Sequence, residues 1–131
     1  MRRLKDFLLE GTRRVGQTKD VTITVAEESM QVTIRAISYD DYEDIRRGSL
    51  ILKGNQQDFR IGKFNLGLVL AGTVDPNFKD ATLLEKAGVS TPEDLIKTML
   101  LPGEIEALAQ EILKLSGLNT SINELKEEAK N

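Results

Sequence analysis

The sequence contains no cysteine, no histidine and no tryptophan. It therefore lacks the side chains of disulfides, thiol nucleophiles, Cys/His zinc sites, imidazole bases and Ser-His-Asp triads. An enzyme built from it would have to use carboxylates, lysine, tyrosine or serine, and every acidic residue fits a helix start or an exposed face. We therefore expect no enzymatic activity, no catalytic residues, and no metal or cofactor site.

Long apolar runs are also missing. No stretch of about 18 apolar residues is present to span a bilayer. The first residues, MRRLKDFLLEGTRR, lack the apolar block and cleavage site of a signal peptide. The absence of cysteine suits a reducing compartment. The sequence thus predicts a soluble, unexported protein that makes no use of a membrane.

Aromatic residues are few, at 5%, whereas hydrophobic residues make up 40% and charged residues 30% of the 131. This composition is ordinary for a globular chain, and the length suffices to bury about two thirds of the unfolded surface. We predict one domain with an aliphatic core. Its parts are a basic N-terminal segment (1–19), a β-hairpin (21–37), a helical body (38–118) and a C-terminal tail (119–131).

The net charge is −3, and basic residues are concentrated only near the start of the chain. A nucleic-acid binder usually has a strongly basic domain or a basic patch interleaved with aromatic residues. Nucleic acid is therefore not the expected partner. The alternative hypothesis is a small nucleic-acid-associated regulator, and its binding residues would be Arg2, Arg3, Arg13, Arg14, Arg46 and Arg47.

The N-terminal segment has an amphipathic pattern over residues 2–10. Leu4, Phe7 and Leu8 share one side of a short predicted helix, and the charged residues lie elsewhere. Such a helix could contact a membrane surface or an acidic partner. The alternative is a solvated terminus, because a helix this short is marginal by itself.

Two stretches, at 21–25 and 31–37, alternate β-branched apolar residues with polar ones, which is the period of a half-buried strand. The five residues between them are enough to close an antiparallel hairpin. Two strands alone are unstable, so helices must cover the apolar face. The predicted core residues of the hairpin are Val21, Ile23, Val25, Val32 and Ile34.

A helix is predicted directly after the hairpin. Ser38 and Asp41 form an acidic capping box, and Arg46 and Arg47 lie in the last turn. The acidic residues within 40–44 lack the spacing of a calcium loop, and the helix dipole accounts for them.

The middle of the chain is less clearly patterned. We predict an exposed loop over 53–57, a short strand around Phe59 and Ile61, and a buried helix over 64–72. Periodicity alone does not distinguish such a helix from a buried strand.

Three further helices are predicted between residues 80 and 117, each with its own start and stop signals. The start residues are Asp80, Thr91 and Glu104, and the stop residues are Gly88, Pro102 and Gly117. Ser121 and Glu124 form another capping box ahead of a frayed helix or tail. The resulting fold is α+β: an N-terminal antiparallel β-hairpin packed against about five helices, with a helical C-terminal half.

The helix that begins at Glu104 has a wide apolar stripe, made of Ile105, Leu108, Ala109, Ile112, Leu113 and Leu115. The stripe is either a core face or, in part, a docking face for another helix. Docking would require exposed members that form an apolar patch with neighbouring residues. The candidate partner-binding residues are Leu108, Ile112, Leu115, Leu118, Leu95 and Met99.

Four short motifs follow one another in this half of the chain: VDPNFKD (74–80), PEDLI (92–96), LPGEI (101–105) and KLSG (114–117). In this order and spacing they resemble the small tail assembly chaperones that prophages and tailed phages of Gram-positive bacteria encode ahead of the tail tape measure protein. The match covers residues 74–117, and more loosely the strand at 33–35.

The resemblance implies a protein of the host cytoplasm that is absent from the finished virion. It would bind the long, helical, aggregation-prone tape measure protein and keep it soluble until tail tube subunits polymerise around it. In related phages a longer form, made by ribosomal frameshifting, also recruits the tail tube protein. Self-association as a homo-oligomer stays open.

Overall fold

The computed structural model describes residues 1–118, and the predicted tail at 119–131, with its Ser121 capping box, lies outside them. The predicted α+β fold is confirmed: an N-terminal hairpin precedes a helical C-terminal half. The elements are α1 (Leu4–Leu9), β1 (Thr18–Val25), β2 (Glu28–Arg35), α2 (Tyr39–Gly48), β3 (Leu50–Lys53), β4 (Gln56–Phe59), α3 (Ile61–Gly72), β5 (Thr73–Asp75), α4 (Ala81–Ala87), α5 (Pro92–Met99) and α6 (Pro102–Leu115).

Strands β1 and β2 form the predicted antiparallel hairpin, but its turn is tighter than the predicted five residues. Only Ala26 and Glu27 lie between the strands, and both have positive φ, 51° and 66°. Positive φ at both positions matches the right-handed twist of a two-residue hairpin, so the strands extend to residues 25 and 28. Val25, one of the predicted core residues, is partly buried. The other four are buried: Val21, Ile23, Val32 and Ile34.

Strand β5 makes the hairpin a three-stranded sheet in the order β1-β2-β5. It pairs antiparallel with β2, with Thr33 opposite Asp75 and Ile34 opposite Thr73. The sequence analysis missed this strand because three residues are too few to show a period of two.

A second hairpin, β3–β4, occupies the region predicted to be an exposed loop at 53–57. Its two-residue turn begins at Gly54, which has a φ of 62°. Phe59 at the end of β4 is buried, and its ring centroid lies 5.3 Å from that of Phe64 in α3. The predicted strand at Ile61 is wrong, because this residue is the first of α3. The predicted buried helix over 64–72 is confirmed.

The predicted helix starts at Ser38, Asp80 and Thr91 are confirmed by hydrogen bonds. Ser38 Oγ and Thr91 Oγ1 each accept from the amide three residues further on, at 3.0 and 3.1 Å. Asp80 Oδ1 accepts from the amide two residues further on, at 2.8 Å. Each bond satisfies a first-turn donor that has no partner within its helix.

Helix α6 begins at Pro102, two residues before the predicted start at Glu104. Proline suits the first turn because its missing N–H would have no intrahelical acceptor there. Glu104 lies within that turn, and its Oε1 accepts from the Leu101 amide at 2.8 Å. Pro102 is therefore a start signal, and not the stop signal that the sequence analysis assigned to it.

The predicted stop residues Gly88 and Gly117 follow their helices with φ of 71° and 84°. The Gly117 amide donates to Lys114 O, and the next amide, of Leu118, donates to Leu113 O at 2.8 Å. This pair of bonds is the Schellman pattern, in which a left-handed residue satisfies the last carbonyls of a helix.

Helix α6 lies at the centre of the core, packed against α3 and the apolar face of β1 and β2. Four of its side chains have no exposed surface: Leu108, Ala109, Ile112 and Leu113. At its end, Ser116 Oγ accepts from the Ile37 amide at 3.1 Å and donates to Ile112 O at 2.7 Å. This hydroxyl joins the end of α6 to the chain that follows β2.

Candidate partner-binding surface

The apolar stripe of α6 is a core face. Leu108 and Ile112 are fully buried, and Leu95 of α5 is 4% exposed. The docking hypothesis requires some of Leu108, Ile112 and Leu115 to be exposed, and of these three only Leu115 keeps accessible surface. A partner has no access to Leu108, Ile112 or Leu95 in this fold. The stripe is wide because α6 packs against both α3 and the sheet.

The other three predicted residues have some accessible surface. Met99 at the end of α5 is 59% exposed. Leu115 and Leu118 are half-buried and pack against the core cluster. Met99 is thus the member of the predicted set that a partner can reach most fully, and its role in binding stays a prediction.

The chain between α5 and α6 presents two apolar side chains to solvent, and we call residues 99–101 the α5–α6 corner. Leu101 is 69% exposed, next to the half-buried Leu100 and the exposed Met99. Leu101 was not predicted as a binding residue because it lies outside the helical stripes. The available signal was an apolar residue directly before a helix, a position that usually holds a polar cap.

A groove lies between the outer strand β1 and the first half of α6, with a volume of about 520 Å³. We call it the β1–α6 groove. Its wall includes Thr22 and Thr24 of β1, and Leu101, Glu104, Ala107 and Glu111 on the side of α6. The charged residues in this wall are both acidic, and Leu101 connects the groove to the α5–α6 corner.

Helix α1 is also apolar and exposed. Leu4, Leu8 and Leu9 are 64–74% exposed, and the helix has no buried residue. Arg2 forms an ion pair with Glu10 and lies over the Phe7 ring, 5.6 Å from its centroid. The predicted short helix is confirmed, and its arginine is engaged within the segment itself.

Two acidic residues of α2, Glu43 and Asp44, pair with the two basic residues of the same helix. Asp44 Oδ1 lies 2.9 Å from Arg47, and Glu43 Oε1 lies 3.5 Å from Arg46. Within residues 1–118, no group of three or more acidic side chains is placed to hold a metal ion. No helix in this described part is long and apolar enough to cross a membrane.

The fold, the arrangement of motifs and the surface together define a small α+β protein with an apolar corner and an acidic groove. Residues 4–130 match the family model described as phage XkdN-like tail assembly chaperone protein. Because the match spans nearly the whole chain, the protein belongs to this tail assembly chaperone family. The resemblance seen in the motifs is thereby confirmed.

A solved structure supports the fold. The crystal structure of the protein yqbn superimposes with a TM-score of 0.61 at 17% sequence identity, covering 89% of this chain and 98% of that one. At this identity the likeness shows a shared fold alone. No curated protein matches the sequence.

Proposed function

We propose that this protein binds the tail tape measure protein and keeps it soluble in the host cytoplasm while the tail is assembled. The observation that carries the proposal is the family match over residues 4–130. A tail assembly chaperone acts on other tail proteins. A long helical chain with exposed apolar surface is the component with the greatest need of such a carrier.

The α5–α6 corner has the chemistry that such binding needs. Met99 offers a flexible thioether that adapts to irregular apolar surfaces, and Leu101 adds an exposed apolar side chain two residues later. An amphipathic helix docks its apolar face on surfaces of this kind. We therefore propose that Met99 and Leu101 contact the tape measure protein.

Co-expression with the tape measure protein of the same phage or prophage tests the proposal. The soluble fraction of the tape measure protein should rise when this chain is present, and the two should co-purify. The double variant Met99→Asp/Leu101→Asp should lose both effects, because buried carboxylates oppose an apolar contact. Its thermal midpoint should not fall, since exposed substitutions usually shift stability by about 0.5 kcal/mol or less and aspartate is a favourable residue at position 101, the N-cap of α6.

Leu52→Asp is the matched control. Leu52 lies in the β3–β4 hairpin and is 72% exposed, close to the 69% of Leu101. This control should protect the tape measure protein as the unmodified chain does. A tape measure protein that is equally soluble without this chain would overturn the proposed function. Equal loss in the corner and control variants would overturn only the assignment to the corner.

A further inference from the structure

Strand β1 is an outer strand of the sheet, and among residues 1–118 it pairs only with β2. Val25 and Glu28 flank the two-residue turn, and at the other end the Ala36 amide donates to Gln17 O at 2.8 Å. Hydrogen-bonded pairs alternate along an antiparallel ladder, so every second residue of β1 turns its backbone away from β2. The outward-facing residues are Thr18, Asp20, Thr22 and Thr24.

Over residues 21–25 this edge lacks the features that usually protect an outer strand, and its charged residues, Lys19 and Asp20, lie nearer its start. Its eight residues contain no proline, and its register with β2 is continuous. Residues 21–25 are uncharged, and Asp20 Oδ1 accepts from Thr33 Oγ1 at 2.6 Å, which holds that carboxylate toward β2. The opposite edge differs, because β5 has three residues and Pro76 follows it.

The β1–α6 groove runs beside this edge. Glu104 and Glu111 lie on its helical wall with Ala107 between them, and no basic side chain of the described residues lines it. Glu104 accepts a hydrogen bond from the Leu101 amide, and Glu111 forms an ion pair with Lys114 at 3.6 Å, which offsets part of its charge. Lys114 is not part of the groove wall, so among the described residues the charged groups that line the groove are these two carboxylates.

The two glutamates of the wall are seven residue steps apart on α6, which places them about 10 Å apart along the helix. Residues two and four apart in a strand are separated by about 7 and 14 Å. The flexible side chain of lysine covers the remaining difference. A strand with basic residues at alternate inward positions, and an apolar residue between them, therefore matches this wall.

We propose that β1 accepts an extended, basic segment of a partner protein as a fourth strand of the sheet. Backbone bonds to the outward-facing residues of β1 would hold the segment, and its inward side chains would fill the β1–α6 groove. A second copy of this chain is a poor occupant, because antiparallel pairing of two β1 edges would bring two sets of groove glutamates to one seam. The proposal does not depend on the tape measure as partner.

A synthetic peptide tests this directly. The probe is Thr-Lys-Thr-Leu-Thr-Lys-Thr, acetylated and amidated, and the matched peptide has glutamate in place of both lysines. Nuclear magnetic resonance of the labelled full chain should show saturable shifts centred on residues 18–24 with the basic peptide. The outward amides of Thr22 and Thr24 should also exchange more slowly with solvent. The acidic peptide should bind at least about tenfold more weakly.

Two pairs of variants separate strand addition from general charge attraction. Thr22→Pro removes an outward amide and places a ring on the edge, whereas Thr22→Val keeps the amide. The first should weaken binding by about tenfold and the second should not, since proline cannot donate to a ladder. Glu111→Lys should weaken binding by about fivefold, while Glu106→Lys, exposed on the same helix but outside the groove wall, should have a smaller effect.

Several results would overturn the proposal. These are no saturable binding at millimolar peptide, shifts centred away from β1, or equal binding by both peptides. Equal weakening of peptide binding by Glu111→Lys and Glu106→Lys would also overturn the proposal. If Thr22→Pro fails to fold, this pair of variants is the test of the proposal. Protection of the β1 amides that rises with protein concentration alone would identify a second copy as the occupant instead. The tape measure solubility assay is unaffected by any of these outcomes.

Discussion

At the scale of single residues, the tightest constraint is the contact between α3 and α6. A Cβ placed on Gly72 would lie 2.5 Å from Ile112 Cγ2 and 2.8 Å from Ile112 Cδ1. The isoleucine side chain is fully buried, so it has no free space into which to move. Glycine at this position is therefore required by the close approach of the two helices.

We predict that Gly72→Ala lowers the free energy of unfolding by about 1–3 kcal/mol, the usual cost of overpacking a core. Urea denaturation checks this. Gly62→Ala in the same helix is the control, because nothing lies within 4 Å of its added Cβ. That control should be neutral or stabilising by about 0.5 kcal/mol, since alanine favours a helix over glycine.

A double-mutant cycle locates the cause. Ile112→Ala removes the three atoms that an alanine at position 72 would meet. The double variant Gly72→Ala/Ile112→Ala should lose clearly less free energy of unfolding than the two single variants lose together. The reason is that the methyl group at position 72 fills part of the cavity left by Ile112. Strict additivity would show that the close approach does not govern Gly72.

The packing of α6 also shows what could not be predicted from the sequence for single residues. Periodicity identified every apolar residue of the α6 stripe, including Leu108 and Ile112. It did not reveal how many neighbours cover the stripe, because that depends on elements distant in sequence. An apolar stripe looks the same whether one side or both sides of it are covered.

At the scale of elements, helix boundaries were predictable wherever a local chemical signal sets them. The side-chain caps at Ser38, Asp80 and Thr91 each act within three residues, and so does the left-handed Gly88. The turn of the first hairpin has no such signal, because alanine and glutamate do not favour positive φ. The alternating pattern predicts the hairpin but not its two-residue turn, because the register of the strands sets the length of the turn.

This turn leads to a prediction. Glu27→Gly should stabilise the protein by about 0.5–1 kcal/mol, because glycine removes the left-handed strain, while its greater freedom in the unfolded chain offsets part of the gain. Gly54→Ala in the other hairpin is the reciprocal control, since Gly54 has a φ of 62°, and it should destabilise the protein. Urea midpoints measure both. A destabilising Glu27→Gly would contradict the strain argument.

At the scale of the whole molecule, charge separates the leading function from the nucleic-acid alternative. The net charge is −3, and three of the six candidate arginines, Arg2, Arg46 and Arg47, form ion pairs with carboxylates. Phosphate binding depends on free, clustered basic side chains. The surface therefore favours protein partners.

We predict that the protein passes through a heparin column without retention at about 0.15 M salt, where its acidic groups repel the matrix. The control is the double variant Glu43→Lys/Asp44→Lys, which frees Arg46 and Arg47 and makes a basic patch. It should be retarded, and salt should release it. Salt-sensitive retention of the unmodified protein would instead support the nucleic-acid alternative.

The central position of α6 has a consequence for how the chain is made. The ribosome delivers β1, β2 and α3 first, and the helix that covers them is complete only at Leu115. At bacterial elongation rates, the 44 residues from 73 to 116 take roughly 2–9 s to synthesise. During that interval the buried side chains of β2 and α3 are not yet covered by α6, and the Ile37 amide lacks its acceptor, Ser116 Oγ. This member of a tail assembly chaperone family thus passes through an interval in which its own apolar surface is exposed each time it is translated.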